Sequence, residues 1–410
     1  MNDNSVLGKN WISKGYNEDQ VNFLKENFDL SEIVSKLIAI RNINIEEVKL
    51  FLNPKIKNFL PNPFILKDME KAADRTVKAI KNNEKIGIFG DYDVDGATST
   101  AILGNYFNQI DRKTEIYIPD RKSEGYGPNQ QGFEKLISNG SKLIFTVDCG
   151  TLSFDTINFS QSKNTDVLVL DHHQSDLKLP NAFSIVNPNR FDDKSNLNYL
   201  CAAGVCFMFL VALNKKLREI DWFKKNNIDE PNLMNYLDLV SLGTVCDVVP
   251  LIGLNRAIVS QGLKVLKNQL NLGLKTLKNV CGIENNITTY HLGYVIGPRI
   301  NAGGRVGECS HGANLLLSKD SKETFKIATE LESFNEERRL IESNMLKKIK
   351  NTIAINSDDP VIVLSGHNWH EGVIGIIASK LKEKYNKPTV IISVEKGLGK
   401  ASARSVWGLI

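Results

Sequence analysis

Three short apolar runs, each ending in acidic residues, restrict this chain more than any other feature. Residues 86–90 (IGIFG) run into Asp91, Asp93 and Asp95; residues 142–147 (KLIFTV) run into Asp148; residues 166–170 (DVLVL) run into Asp171, His172 and His173. A fourth run, EIYIP at 115–119, lies between the first two, and helical patterns separate them. Near-continuous apolar runs of this length, alternating with helices, predict buried parallel strands in an α/β sheet. Ligands of open α/β sheets sit at the carboxyl ends of the strands. Three strand ends therefore deliver acids and imidazoles to one rim.

Those acids need a partner. No Lys or Arg occurs between Lys85 and Arg112. Two carboxylates ~4 Å apart repel by about 4 kcal/mol at an effective dielectric of about 20. Converging carboxylates either hold a cation or take up protons. Mixed oxygen and imidazole ligands suit Mn²⁺, with Mg²⁺ the competing choice and Zn²⁺ a poorer fit.

Each motif has a commoner reading when taken alone. DYDVDG at 91–96 opens like an EF-hand loop, but Ile102 stands where that loop needs a Glu, and a strand precedes it. A DxDxT phosphatase pattern fails because Asp95 stands where Thr or Val is required. A Walker loop fails because Gly96 is followed by ATST with no Lys. Asp148 alone reads as a turn acid, and His172–His173 as a satisfied pair at a strand end. Their convergence at strand ends is what favours a metal site.

At ~150 residues per domain, 410 residues give two or three domains. With 42% apolar and 24% charged residues, the composition excludes a disordered or low-complexity chain. The longest apolar run, 200–213, is too short for the ~20 residues a bilayer span needs. The first residues carry no apolar stretch suited to secretion, so a cytoplasmic protein is expected. A net charge of +4 neither requires nor excludes a polyanionic partner. Six cysteines without a CxxC pair read as buried, reduced thiols.

Residues 17–60 read as short amphipathic helices within an N-terminal extension, 1–66. A helix at about 67–82 opens a domain spanning 67–320, whose stretch from 200 to 290 is mostly helical. A long amphipathic helix from 321 to 353 carries Leu331, Phe334, Ile341, Met345 and Ile349 near one face, and forms a connector, 321–357. PVIVLSG at 360–366 and PTVIIS at 388–393 start a second unit, 358–410. The expected fold is α/β: a parallel-sheet domain joined by a long helix to a second, incomplete α/β domain.

GDYDVDG, VDCG and LDHH, in this order, resemble the signature of the DHH phosphoesterase superfamily. Further segments resemble its single-strand-specific 5′→3′ DNA exonucleases: PDRKSEGYG at 119–127, GTVCDVVPL at 243–251, IGPRINAGGR at 296–305, NEERR at 335–339 and NWHEGVIGIIASKL at 368–381. FLNP at 51–54 and LPNPFILKDMEKA at 60–72 extend the resemblance to nearly the whole chain.

The resemblance implies that Asp93, Asp95, Asp148, His172 and Asp247 ligate two Mn²⁺ or Mg²⁺ ions, with Asp148 bridging them. It sets Asp91 and His173 beside the metals, orienting ligands or touching the scissile phosphate. Asp171 stands behind, fixing an imidazole tautomer. Arg121, Arg299, Asn301, Arg305, His370, Arg404 and Ser405 are the implied substrate-binding residues, Arg121 and Arg305 gripping phosphate bidentately, the terminal 5′-phosphate included. The competing readings are surface salt bridges for the arginines, a capping imidazole for His370 and a helix-terminal acid for Asp247. Lys347, Lys348 and Lys350 read as a solvated face or the lining of a strand-binding groove.

The implied activity is two-metal hydrolysis of single-stranded DNA from a 5′ end, releasing 5′-mononucleotides, in DNA repair and recombination. The expected protein is a monomer without membrane contact, partnered by a single-strand-binding protein and a helicase. Two other readings stand beside it: a DHH hydrolase of short oligonucleotides, cyclic dinucleotides or pyrophosphate, and a non-catalytic replication scaffold. The chain stops inside a segment resembling the family's GSxRS, with Ala401 where Gly is usual and Ser402, Arg404 and Ser405 matching. A truncated sequence is therefore expected, with the rest of the second domain and an OB-fold lying beyond it.

Overall fold

The expected alternation is realised in a computed structural model that describes residue 10 and residues 12–268, 271–352 and 359–406. Five strands, β1 (Lys85–Gly90), β2 (Thr114–Tyr117), β3 (Ser141–Val147), β4 (Asp166–Leu170) and β5 (Ser184–Val186), form a sheet in the order β2-β1-β3-β4-β5. Every neighbouring pair is parallel. The three-residue β5 was not legible as a strand, being too short to carry a period. Ile88, Phe89, Ile144, Phe145, Leu168 and Val169 are fully buried, because helices cover both faces. On one face Phe145 packs between Phe107 and Phe209 of the helices Val94–Gln109 and Ala202–Glu219. On the other, Phe89, Ile144 and Val167 pack with Phe133, Leu136 and Ile157.

Two features of this sheet position the site. Gly90 pairs with Val147, and Val147 with Leu170, so the carboxyl ends of β1, β3 and β4 are level. The chain leaves β1 for β2 on one side and then returns to β3 on the other, so the β1/β3 boundary is a topological switch point. In doubly wound sheets that crevice is where ligands bind.

The described residues through Leu60 form a compact unit of their own, and Pro61 onward forms a second. The first consists of the expected short helices, Glu18–Phe28, Glu32–Ile40, Val48–Leu52 and Ile56–Phe59, around Leu24, Ile38 and Val48. Asn17 and Ser31 cap the first two by accepting from the amides of Gln20 and Val34.

Within the second unit, the helix Met69–Lys81 precedes β1, and the long helix spans Ser321–Thr352. Ile353 and the expected end of the connector lie outside the described residues. Met345 and Ile349 of this helix join Ile362, Trp369, Val373, Ile377 and Ile391 in the core of the second sheet. That sheet is β6 (Ile362–His367), β7 (Thr389–Glu395) and β8 (Leu398–Arg404), with β7 parallel to β6 and β8 antiparallel to β7. β8 escaped the sequence reading because its residues are small, polar and almost all exposed. Residues 358 and 407–410 of the expected second unit are also outside the described ones. The helix Glu371–Tyr385 meets the first domain at Gly372: a Cβ added there would overlap the Arg305 carbonyl oxygen. Arg305 returns the contact by donating from Nη1 to the Gly372 carbonyl at 3.1 Å.

All six cysteines are free thiols, but only four are buried; Cys246 and Cys281 are half-exposed, against expectation. Among the described residues, no helix is long and apolar enough to cross a membrane.

Candidate metal centre

Asp91 follows β1 directly and is 3% exposed. Asp93 caps the helix Val94–Gln109, its carboxylate accepting from the Gly96 amide at 3.0 Å. Asp95, in the first turn of that helix, accepts from the amides of Ala202 and Ala203 at 2.6 and 3.0 Å, where the helix Ala202–Glu219 begins. Asp148 follows β3 with φ of +60°, a left-handed conformation that Asp tolerates better than most residues. Its amide donates to the carbonyl of Leu170 at 3.1 Å, tying the β3 and β4 ends together. Asp247 ends the helix Leu237–Cys246, which comes close because of Gly243: a Cβ added there would lie 2.7 Å from Asp95 Oδ1.

These elements bring the predicted ligands together. His172 Nε2 lies 3.3 Å from Asp148 Oδ1, 3.6 Å from Asp247 Oδ2 and 3.7 Å from Asp95 Oδ2. Three groups have ligand atoms within 4.8 Å of one another: Asp91, Asp93 and Asp148; Asp95, His172 and Asp247; and Asp148, His172 and His173. Asp148 and His172 each belong to two of them. Asp91 Oδ1, Asp148 Oδ1, His172 Nε2 and Asp247 Oδ2 are buried without a hydrogen-bond partner. A buried acceptor left unsatisfied costs about 1–3 kcal/mol. Four orphaned polar atoms distributed over these overlapping groups, three of them carboxylate oxygens, fit divalent cations of the Mn²⁺ or Mg²⁺ kind.

The carboxyl groups are strongly perturbed. Burial, then the charge of Asp93, pushes Asp91 up to about 8. Burial, then Asp95 and Asp93, pushes Asp247 up to about 8. Burial also raises Asp95, and burial followed by the charges of Asp93, Asp95 and Asp91 raises Asp148 well above the carboxylate range. Acids whose folded pKa values stand near 8, against an ordinary 3.8, keep protons that the unfolded chain releases. The stability of the metal-free fold therefore falls as pH rises from about 4 to about 8. Metal binding needs those protons gone, so it strengthens across the same window. Thermal unfolding in chelator and in saturating Mn²⁺ should accordingly show a larger metal-induced rise at pH 8 than at pH 6. A metal concentration 100 times the Kd contributes about 2.7 kcal/mol. A shift that is absent, or the same at both pH values, contradicts the assignment.

Behind Asp148 runs a second network. Asp171 Oδ1 accepts from His173 Nδ1 at 2.8 Å, while its Oδ2 accepts from the Thr151 amide and hydroxyl at 3.1 and 2.6 Å. Asn187 donates from Nδ2 to the Thr151 hydroxyl at 2.8 Å and to the His173 carbonyl at 2.9 Å. Burial alone would raise Asp171, but hydrogen bonds from His173 and Thr151, with the imidazolium charge, hold it below the usual carboxylate range. In return the hydrogen bond to Asp171, outweighing burial, raises His173 to about 9. His173 is thus an imidazolium at neutral pH, its Nε2 3.3 Å from the Tyr126 hydroxyl, which donates to the Asp148 carbonyl at 3.1 Å.

Opposite the acids stands a cationic group. Burial, then Arg121 and Arg338, lowers Arg305 to about 10, with Arg404 adding to the effect and Asp93 opposing it. The Arg121 guanidinium lies 5.5 Å over the Tyr92 ring. Arg404 ends β8, its Nη1 donating to the Ala403 carbonyl and the Ser402 hydroxyl, with exposed Ser405 beside it. His370 stands at a helix start. Its Nδ1 caps the helix Glu371–Tyr385 by accepting from the Gly372 amide at 3.2 Å, and burial followed by Lys122 keeps it neutral.

Glu332 engages the Arg299 guanidinium along Nε and Nη2, and Arg299 Nη1 donates to the Val295 carbonyl. This ion pair ties the helix Gly297–Val306 to the long helix, and, after burial, the Arg299 charge is among those that lower Arg338. Asn301 is half-buried on the helix Gly297–Val306 and belongs to none of the ligand groups. Four residues were missed. Tyr126 and Arg338 sat inside the quoted PDRKSEGYG and NEERR segments without being given roles. Thr151 and Asn187 carried no local signal, since only strand pairing brings them to Asp171.

A sheet whose switch point gathers carboxylates and imidazoles is suited to holding a divalent cation, and comparison with known proteins gives the class. Residues 85–244 match the DHH family, N-terminal domain, and residues 358–409 match the DHHA1 domain. The single-stranded-DNA-specific exonuclease RecJ of Escherichia coli is 33% identical over 395 residues, which is 93% of this chain and 67% of that protein. The RecJ of Bacillus subtilis is 34% identical over 97% of this chain and 49% of its own length. RecJ from Thermus thermophilus in complex with Mn²⁺ superposes with a TM-score of 0.79 at 28% identity, covering 95% of this chain and 54% of that one. A second exonuclease RecJ bound to manganese gives 0.73 at 31% identity, covering 86% and 84%. The chain belongs to the RecJ family. It spans between about half and two thirds of the length of the curated relatives it matches.

Proposed function

We propose that this chain is a metal-dependent exonuclease specific for single-stranded DNA, degrading it 5′→3′ to 5′-mononucleotides in DNA repair and recombination. The observation that carries the reading is that buried, unpartnered polar atoms of Asp91, Asp148, His172 and Asp247 fall in overlapping groups of metal-ligating side chains. Asp93, Asp95, Asp148, His172 and Asp247 would hold two Mn²⁺ or Mg²⁺ ions, with Asp148 common to both. Such a pair, when bound, lowers the pKa of a water and steadies the attacking and leaving oxygens. Asp91 lies beside Asp93 and Asp148 and orients that group. His173, kept cationic by Asp171, offers its Nε2–H to a phosphate oxygen at the scissile bond. Arg121, Arg305, Arg404 and Ser405, with Asn301 on the Arg305 helix, bind the 5′-terminal phosphate, and neutral His370 adds a donor at its edge.

In this reading residues 67–320 are the catalytic domain, 321–357 the connecting helix and 358–410 the start of the second domain, preceded by the extension 1–66. The protein acts as a cytoplasmic monomer, with a single-strand-binding protein and a helicase as partners. Digestion of a long, 5′-phosphorylated single strand with Mn²⁺, beside a dinucleotide and a duplex, tests it. Mononucleotides from the long strand support the proposal. Cleavage of the dinucleotide alone points to a short-oligonucleotide hydrolase, and binding without cleavage to a scaffold. A charge-assisted hydrogen bond contributes about 1.5–3 kcal/mol. Arg121→Ala should therefore cut the preference for 5′-phosphorylated over 5′-hydroxyl strands by roughly 10- to 100-fold. An unchanged ratio removes Arg121 from the phosphate site.

A further inference from the structure

The border of the metal centre at Asp247 carries a surface that neither metal ligation nor phosphate binding uses. A π-helical turn, His291–Ile296, packs against the last turn of the helix Leu237–Cys246. Cys246 Sγ donates to the Leu292 carbonyl at 3.3 Å, and a Cβ added at Gly297 would lie 2.5 Å from that sulfur. Leu292 and Ile296 face inward and are fully buried. Tyr290 and Tyr294 consequently face outward, 63% and 74% exposed, with ring centroids 5.4 Å and planes 25° apart. Single π-turns are rare and concentrate at functional sites. Next in the chain after Asp247 is Val248, a β-branched residue at φ +61° and 84% exposed, held in a conformation that its own packing does not repay. The rim next to Asp247 is thus aromatic and apolar, whereas the rim next to Asp91 and Asp93 is lined by Arg121 and Arg305.

We propose that Tyr290 and Tyr294 form a stacking platform for a base of the single strand on the 3′ side of the bond being cut. This rests on the exonuclease reading above. A strand whose 5′-phosphate sits among the arginines and whose first linkage crosses the metal centre leaves past Asp247, over the tyrosine pair. Every base offers a π-face, so stacking of this kind accepts any sequence. It rejects a duplex, whose bases are already stacked on one another. The platform therefore contributes to selection of single strands as well as to their binding.

The test uses 5′-phosphorylated strands carrying 2-aminopurine at successive positions, with Ca²⁺ replacing Mn²⁺ so that the complex forms without turnover. Fluorescence should be quenched at one or two adjacent positions beyond the first nucleotide. The double variant Y290A/Y294A should lose that quenching, and Tyr294→Phe, which keeps the ring, should retain it. Under turnover conditions with Mn²⁺, the double variant should raise the KM for a long strand by roughly 10-fold or more, the smaller part of the change falling on kcat. Quenching and KM equal to the parent's, in a parent that cleaves, overturn the platform alone. A parent that neither binds nor cleaves the strand overturns the exonuclease reading and the platform with it.

Discussion

Replacing Asp148 with alanine should lower turnover of single-stranded DNA by at least ~1,000-fold while leaving strand binding largely intact. Residues that merely support metal ligands already change affinity or activity by about 10- to 100-fold. Asp148 does more, since it belongs to two of the three ligand groups and its Oδ1 is buried without a partner. The arginine cluster, which binds the strand in this reading, keeps all its members in the variant. Because Asp148 has φ of +60°, alanine also adds backbone strain of about 1–2 kcal/mol. Asp148→Asn avoids it, since Asn tolerates the left-handed region and is nearly the same size. The asparagine variant should fold as the parent does and be similarly inactive. Steady-state cleavage of a labelled strand, read beside binding in Ca²⁺, separates the two effects. Near-normal cleavage by the asparagine variant refutes the assignment of Asp148.

The second large effect is expected at Asp171, which touches no predicted metal ligand atom other than through its neighbours' backbone. Asp171→Asn removes the charge that holds His173 at about 9 and replaces an acceptor with a group that can present N–H instead. The imidazole then loses the largest cause of its raised pKa. A step that needs the imidazolium fails as pH rises through the group's pKa. The alkaline limb of kcat should therefore move to lower pH in the variant. Loss of an aspartate that orients a catalytic imidazole reaches ~10⁴-fold in the best-known triads, where the imidazole must act as a base. Here, where it acts as a charged donor, roughly 10²–10³-fold at pH 8 is expected. An alkaline limb that stays where it is in the variant shows that His173 is not the group being titrated.

The metal-facing acids were legible because each is joined directly to an apolar run. Once residues 86–90, 142–147 and 166–170 are strands of one parallel sheet, Asp91, Asp148 and Asp171 must share its edge. Asp247 was different. It follows a helix far along the chain, and only the GTVCDVVPL resemblance singled it out; the structural reason is Gly243, whose missing side chain lets that helix reach Asp95. Arg299 shows what a motif leaves out: its ion pair with Glu332 was not legible, because the long helix is near it only in the folded chain. The Thr151–Asp171–Asn187 network depends on β4 pairing with β5, and SIV at 184–186 is too brief to announce a strand. Strand β8 was hidden because a strand with nearly every residue exposed has no alternation to read.

The most direct test of paired ligation at the β1/β3 switch point is anomalous diffraction at the manganese edge from crystals grown with Mn²⁺. Two peaks per chain, roughly 3.5–4 Å apart with the Asp148 carboxylate between them, are expected. One should lie against Asp95, His172 and Asp247, the other against Asp93, with Asp91 beside it. A single peak, or peaks remote from Asp148 and His172, contradicts paired ligation and the exonuclease chemistry that depends on it.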